Sequence, residues 1–536
     1  MNQPEAGPFP QALVDAFRRQ PDAPAFEHRG RAVPRGEVLE VTARCVRGLR
    51  AEGVGPGSSV AVGTGVTPEA FALRIAVHLL GARLTGLRPG LPPRHLARIL
   101  ADGVDVLVHD EPSDTGELRA AATPVRHLSL ERDLLPSALL HSDPIRSELP
   151  PGDRNRLRTP PSPTPDHDLV ARGRPDDPAL ITLTSGSTGQ PKGCAHTYRT
   201  LTRSWSWQPA RRTARTAALA DAYARFLLFG TLSSAVIFEH LGLCLLGGGT
   251  AVIPDPPLSF PEVFARHRVT ACLLTVPRLH HILNSLRTNH TDTTSLRALL
   301  VAGSPLAPHR LAEATERLGP VVYHGYGQTE TGMLTLLAPG DLARWPTTAL
   351  ASVGRPLDGV EISVRNPADG TPLTDGTAGE LWVRTDGALA GYWQDEPETR
   401  AVLRDGWVRT RDLGRLDENG LLRLTGRTRD VIIVNAVLHY AGAIEATLAG
   451  HPDVDQAYVV GAPDERTGEA AHAFIVPTTG RKPDLAALRA HVAAELGEAG
   501  APATITVIRD VPVGASGKPD KQALLASLDD RGTESL

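Results

Sequence analysis

Apolar positions near the start of the chain recur at helical spacing. Leu13, Val14 and Phe17 mark one amphipathic helix, and a longer run from Arg35 to Glu52 marks a second. Val60-Ala61-Val62-Gly63-Thr64-Gly65 then reads as a buried strand entering a Gly-x-Gly turn, with a helix starting near Pro68 and another strand over residues 104–108. This alternation predicts a wound α/β unit. Residues 144–178, rich in proline, arginine and aspartate, read as a surface connection. Ala179-Leu180-Ile181-Thr182-Leu183 is a predicted core strand, and residues 241–252 and 271–274 are core strands or short helices. Residues 299–305 read as a strand ending in a tight turn, and residues 321–330 as a strand entering a glycine loop. Between residues 360 and 424 the period changes to two, with turns at Asp369-Gly370, Asp405-Gly406 and Asn419-Gly420, so a barrel-like β region is expected. Short α/β alternation returns after Arg427. The predicted fold is therefore multidomain α/β: a large N-terminal domain over residues 1–427, built of wound α/β subdomains and a β-barrel-like subdomain, and a small α+β domain over 428–536.

Composition narrows the functional classes. A chain of 536 residues is too long for one core and can bury a catalytic cleft. Its net charge of -4 and the lack of any Lys/Arg-rich block argue against nucleic acid or an anionic membrane as partner and favour small molecules. The N-terminal residues have neither a basic region nor an apolar core, so a signal peptide is not expected and the cytoplasm is. The longest apolar stretch, residues 226–238, is too short to cross a bilayer and reads as a buried element. Cys45, Cys194, Cys244 and Cys272 lack metal or disulfide spacing and are expected in the core. Only four of the 56 basic residues are lysines: Lys192, Lys482, Lys518 and Lys521. In a chain that otherwise uses arginine, a lysine marks a place where a compact, rotatable ammonium is needed.

The most informative stretch is Thr184-Ser185-Gly186-Ser187-Thr188-Gly189-Gln190-Pro191-Lys192-Gly193. A glycine-rich loop after a strand brings backbone N–H groups and hydroxyls to one volume, and a lysine ends it, which suits a polyphosphate. The spacing lacks the Lys-Ser/Thr step of P-loop NTPases. The motif resembles the phosphate loop of the adenylate-forming superfamily: acyl-CoA synthetases, peptide-synthetase adenylation domains and luciferases. Further stretches match that superfamily in order, from about Ala12 to Leu524.

The resemblance implies roles residue by residue. Thr184, Ser185, Gly186, Ser187, Thr188, Gly189 and Lys192 would hold the phosphates of ATP, and Gly303-Ser304-Pro305 would border the adenine. In Tyr326-Gly327-Gln328-Thr329-Glu330 the tyrosine would stack on adenine, Thr329 contact the α-phosphate and Glu330 hold Mg²⁺. Asp412 and Arg427 would bind the ribose. Lys518, in Pro512-Val513-Gly514-Ala515-Ser516-Gly517-Lys518, would enter the cleft during adenylation, and Arg429 would be the hinge. Tyr223, His324 and Gly325 are candidates for the acid pocket.

The expected reaction activates a carboxylic acid with ATP as an acyl-adenylate, releases pyrophosphate and passes the acyl group to CoA. Two departures bear on the second step. Asn435-Ala436 stands where acyl-CoA synthetases have a Gly-Gly loop, which leaves open a carrier-protein thiol, an amine or nitrite as acceptor. The Phe-Asp-x-Ser of amino-acid-activating domains is absent, so a non-amino acyl or aryl acid is expected. Competing readings are a non-catalytic ATP-binding module and a dehydrogenase. The intact Lys518 and Glu330 speak against the first. Pro68, at the third glycine position of the first turn, and Arg88, where a ribose-binding acid is needed, speak against the second. No Gly-x-Ser-x-Gly or His-Glu-x-x-His occurs, so serine hydrolase and zinc protease chemistry lack their motifs.

Overall fold

The computed structural model describes residues 7–121, 125–135, 166–185, 191–374, 376–428, 430–435, 437–514 and 517–532. The chain is mixed α/β and divides into two compact units: residues 1–259, 266–272 and 386–400 form one, and residues 260–265, 273–385 and 401–536 the other.

In the first unit the predicted alternation becomes a seven-stranded sheet in the order Gly391–Tyr392, Pro191–Thr197, Pro178–Ser185, Arg83–Gly86, Ser59–Gly63, Val106–His109 and Arg126–Ser129. The strands from Pro178–Ser185 to Arg126–Ser129 run parallel, and the first two in the order pair antiparallel to their neighbours. Ser59–Gly63 and Val106–His109 are buried along their whole length, as central parallel strands covered on both faces must be. The helix Pro68–Leu79 follows the first of them. Thr67 caps it by accepting from the Ala70 N–H at 3.0 Å, and Pro68 occupies its first turn. Helix Arg35–Ala51 buries Val38, Thr42, Cys45, Val46 and Leu49, the stripe that its spacing predicts. The stretch from 226 to 238 is not one element: strand Arg225–Leu227 leads through a loop to the helix Ala235–Leu246, which Ser234 caps.

The expected loose connection over 144–178 is only partly open to description. Its last part is fixed: Asp168, 3% exposed, takes ion pairs from Arg47 at 3.1 Å and Arg50 at 2.9 Å. All four cysteines are buried, in agreement with their reading as core residues. Among the described residues no helix is long and apolar enough to cross a membrane.

The second unit carries three groups of strands. In the first, Ala298–Ala302 pairs parallel with Val322–Gln328, which pairs antiparallel with Gly332–Leu337. In the second, Trp407–Leu416 joins Gly379–Arg384, Leu403–Arg404 and Leu422–Arg427 in an antiparallel sheet, where the period of two had placed it. The third belongs to residues beyond 430, where a five-stranded sheet packs on helices Ala441–Ala449 and Leu485–Leu496 around Ile432, Ile444, Leu448, Val459, Ile475, Leu488 and Val492. These residues have a core of their own.

A buried ion pair ties this last core to the rest of its unit. Arg310, 1% exposed on helix Pro308–Leu318, binds Asp455, 4% exposed at the start of strand Val454–Asp464. Glu313 adds a second carboxylate at 2.7 Å from Arg310 and also receives Arg287. Burial alone would push the Asp455 carboxyl up, yet the hydrogen bonds from His309 and Arg310 hold it well below the usual carboxylate range.

Candidate active site

In the first unit, the two ends of the phosphate stretch lie on paired antiparallel strands. Thr184 and Ser185 end one strand, Pro191, Lys192 and Gly193 begin the antiparallel return strand, and Thr184 faces Lys192 in the register. Gly186, Ser187, Thr188 and Gly189 lie outside the described residues. The Lys192 ammonium sits 2.9 Å from Glu398 and 5.5 Å from the centre of the Tyr392 ring. Gly193 is required by packing, because a Cβ there would come within 2.9 Å of Ile181 and 3.2 Å of Trp393. Arg88 lies behind this strand and donates to the Leu183 carbonyl at 2.8 Å.

The first Gly-x-Gly turn behaves differently from a dinucleotide site. The Gly65 N–H donates to the Asp110 carboxylate at 2.6 Å, which puts a negative charge where a pyrophosphate would need donors. Tyr223, a candidate for the acid pocket, is 1% exposed, stacked on Phe226 at 5.0 Å and hydrogen-bonded to His240 at 2.8 Å.

In the second unit, the signature around Tyr326 is largely strand, where a loop was expected. Tyr326, Gly327 and Gln328 pair with Gly332–Leu337, and only Thr329 and Glu330 turn. Gly327 permits this close pairing, since a Cβ would lie 2.3 Å from the Gly332 carbonyl oxygen.

Asp412 is brought to the same place by strand alternation. Val408, Thr410 and Asp412 face inward along Trp407–Leu416 while Trp407, Arg409 and Arg411 do not. Arg411 has φ +60°, a left-handed conformation at an irregularity in the ladder, next to the residue that must be aimed. Asp412, 3% exposed, accepts from the Tyr326 hydroxyl at 2.7 Å and from Gln328 Nε2 at 2.6 Å through one oxygen, and from Arg427 Nε at 2.8 Å through the other. Gln328 also donates to the Thr410 carbonyl at 3.0 Å, so it is an orienting residue that sequence reading quoted without a role. The Asp412 charge raises the Arg427 guanidinium further. Burial, reinforced by Asp412, pushes the Tyr326 phenol well above its ordinary value, so it stays a hydrogen-bond donor.

Lys518 lies against the turn after Ala298–Ala302. Gly303 has φ +99°, and a Cβ on it would come within 3.2 Å of Lys518 Cε. The lysine is held by a short turn in which Gly514 N–H donates to the Lys518 carbonyl at 2.9 Å and Gly517 N–H to the Gly514 carbonyl at 2.8 Å, with Gly517 at φ +72°. Ser304 is half-buried and Pro305 exposed beside it. The structure therefore groups Gly303 and Lys518, and separately Tyr326, Gln328, Asp412 and Arg427, within one unit. Lys521 ties the same segment down through Asp430 at 3.3 Å and Glu445 at 2.8 Å. Arg429 lies outside the described residues.

His324 and Gly325 occupy the strand next to Tyr326. His324 is 4% exposed, its Nδ1 has no partner, and burial lowers its pKa to about 4. Gly325 is buried near Leu300 and Met333. Burial likewise holds His78 and His240 down to about 3 and His280 to about 4. Their folded pKa values lie below the unfolded value near 6.5, so the unfolded chain binds more protons. Stability is then fully present above about pH 6.5 and declines as pH falls toward 4, by up to about 1.4 kcal/mol per histidine per pH unit. Glu239, pushed up to about 7 by burial, opposes this, because its contribution is lost as pH rises through 7. Burial also raises the Glu445 carboxyl, which acts in the same direction, and the four histidines outweigh the two carboxyls. Thermal unfolding followed between pH 7 and 5 should show a falling midpoint, and a midpoint rising over that interval would contradict the burial of these rings.

The turn at Thr329-Glu330 offers one half-buried hard carboxylate, and no group of three or more His, Cys, Asp or Glu able to hold a metal occurs among the described residues. A single carboxylate fits Mg²⁺, which keeps waters and shares phosphate oxygens, and does not fit a metal needing an all-protein cage.

Comparison with known proteins shows the family of the chain. Residues 13–393 match the family of AMP-binding enzymes, and residues 443–518 match the AMP-binding enzyme C-terminal domain. The chain is 30% identical to the medium/long-chain-fatty-acid–CoA ligase FadD8 of Mycobacterium tuberculosis, over 96% of this chain and 89% of that one. It is 31% identical to a feruloyl-CoA synthase of Amycolatopsis, over 94% and 96%. Among solved structures it resembles the amide bond synthetase McbA of Marinactinospora thermotolerans, with a TM-score of 0.78 and 32% identity over 96% of this chain and 99% of that one. The protein belongs to the AMP-binding enzyme family, the adenylate-forming superfamily of AMP-forming ligases.

Proposed function

We propose that this enzyme activates a non-amino acyl or aryl carboxylic acid with ATP and transfers the acyl group to the thiol of CoA, in the cytoplasm. The observation that carries the reading is the placement of Lys518 against Gly303 in the unit that also sets Tyr326, Gln328 and Arg427 around Asp412.

In the first half-reaction the carboxylate oxygen attacks the α-phosphorus, the bond to the bridging oxygen breaks, and pyrophosphate leaves. Two anions must meet and charge accumulates on the leaving group, so positioned cations and donors supply the catalysis. Lys518 bridges the carboxylate and the α-phosphate, and Thr329 contacts the same phosphate. Lys192, exchanging Glu398 for phosphate oxygens, holds the leaving group with the loop of Thr184 to Gly189. Glu330 would hold Mg²⁺, which when bound neutralises phosphate charge. Asp412 accepts from the ribose hydroxyls through lone pairs that Tyr326, Gln328 and Arg427 leave open, since a carboxylate has about four acceptor positions. Residues 428–536 act as the lid, with Arg429 at the hinge and His324 and Gly325 toward the acid.

The second half-reaction expels AMP as the nucleophile attacks the acyl carbon. Asn435 stands at the tip of the hairpin Val431–Val434 and Val437–Tyr440, and its φ is +51°. Asparagine thus takes the left-handed conformation that a glycine would supply, although its side chain remains. This conformation at Asn435 favours CoA. A second reading, transfer to an amine, rests on the likeness to the amide bond synthetase; a carrier-protein thiol or nitrite would meet the same adenylate. With ATP, a competent acid and CoA, acyl-CoA measured by mass spectrometry should appear as fast as pyrophosphate. Pyrophosphate release outpacing acyl-CoA, with amide formed when an amine is added, would replace CoA by the amine.

A further inference from the structure

Helix Pro68–Leu79 carries two buried polar side chains one turn apart that the adenylation chemistry does not use. Arg74 is 2% exposed and His78 1%. Arg74 Nη2 donates to Ser233 Oγ at 3.0 Å, and that hydroxyl is itself committed, donating to the Leu87 carbonyl at 3.0 Å. Arg74 Nε and both ring nitrogens of His78 have no hydrogen-bond partner. These groups line a small cavity of ≈ 10 Å³ together with Thr182, Ser234 and Phe238, and no aspartate or glutamate lines it. Burial lowers the Arg74 pKa to about 10, which still leaves the guanidinium charged at neutral pH. The His78 ring stays neutral and supplies one further N–H.

A full positive charge with one neutral acceptor is an unstable arrangement in a dry interior, since an unpaired buried ion costs several kcal/mol. A water molecule in the cavity would satisfy a donor without offsetting the charge. We propose that the cavity between Arg74, His78 and Ser233 is a binding site for a monatomic halide anion, chloride in ordinary buffers. The anion accepts from Arg74 and His78 and lies against Thr182, on the strand that runs on to Thr184 of the phosphate stretch. It binds the folded unit and not the unfolded chain, so halide concentration sets part of the unit's stability.

The test uses the intact protein. Thermal unfolding is followed in chloride or bromide against gluconate at constant ionic strength, and crystals grown in bromide are measured at the bromine absorption edge. The expected result is a midpoint rising by about 5 °C as halide goes from near its dissociation constant to 100-fold above it, with anomalous signal within hydrogen-bond reach of Arg74. Arg74→Met should abolish the halide dependence, and Ser233→Ala, which only loosens the guanidinium, should weaken it. Gluconate matching chloride and an absence of bromine from the cavity would overturn the proposal, as would an unchanged halide response in Arg74→Met. The measurement on the unmodified protein decides even if the Arg74 variant does not fold.

Discussion

Replacing Lys518 with alanine is expected to lower ATP–pyrophosphate exchange by at least about two decades. The carboxylate and the α-phosphate repel each other, and a cation placed where they meet is worth roughly 3 kcal/mol or more in a site that excludes water. The turn closed by Gly514 and Gly517 fixes the lysine backbone, so the alanine variant loses the ammonium without losing the loop. Lys482 is the control: it is exposed, and Lys482→Ala should leave exchange unchanged. Equal losses in both variants would remove Lys518 from the reaction.

The largest effect on stability is expected at Asp455. Asp455→Ala leaves the Arg310 guanidinium, 1% exposed, with Glu313 as its remaining carboxylate. Breaking a buried pair from one side costs about 3 kcal/mol, because the surviving charge stays desolvated. Urea unfolding should show this loss in the second unit. The double variant Arg310→Met, Asp455→Leu should recover at least half of it, since no charge then remains buried there. A single variant as stable as the parent would mean that Glu313 alone satisfies Arg310.

Much of this arrangement was legible in the chain. The period-two stretch placed Asp412 in an antiparallel strand, and alternation with Val408 and Thr410 points it inward. The helical stripe of Arg35–Ala51 and the all-apolar strand before Gly63 were visible because short-range periodicity reports burial directly. The return strand Pro191–Thr197 was not, because a proline, a lysine and a glycine open it and only the partner strand makes them extended. Partners distant in sequence were hidden for the same reason. Gln328 meets Asp412 across 84 positions, Arg310 meets Asp455 across 145, and Glu398 reaches Lys192 from a helix with no motif.

The central claim is that a carboxylate oxygen attacks the α-phosphorus of ATP, and an oxygen tracer tests it most directly. A competent acid labelled with ¹⁸O in its carboxylate is incubated with enzyme, ATP and acceptor, and the nucleotide product is analysed by mass spectrometry. The account predicts AMP carrying one ¹⁸O atom and unlabelled pyrophosphate. ADP as the product, with ¹⁸O in inorganic phosphate, would contradict it.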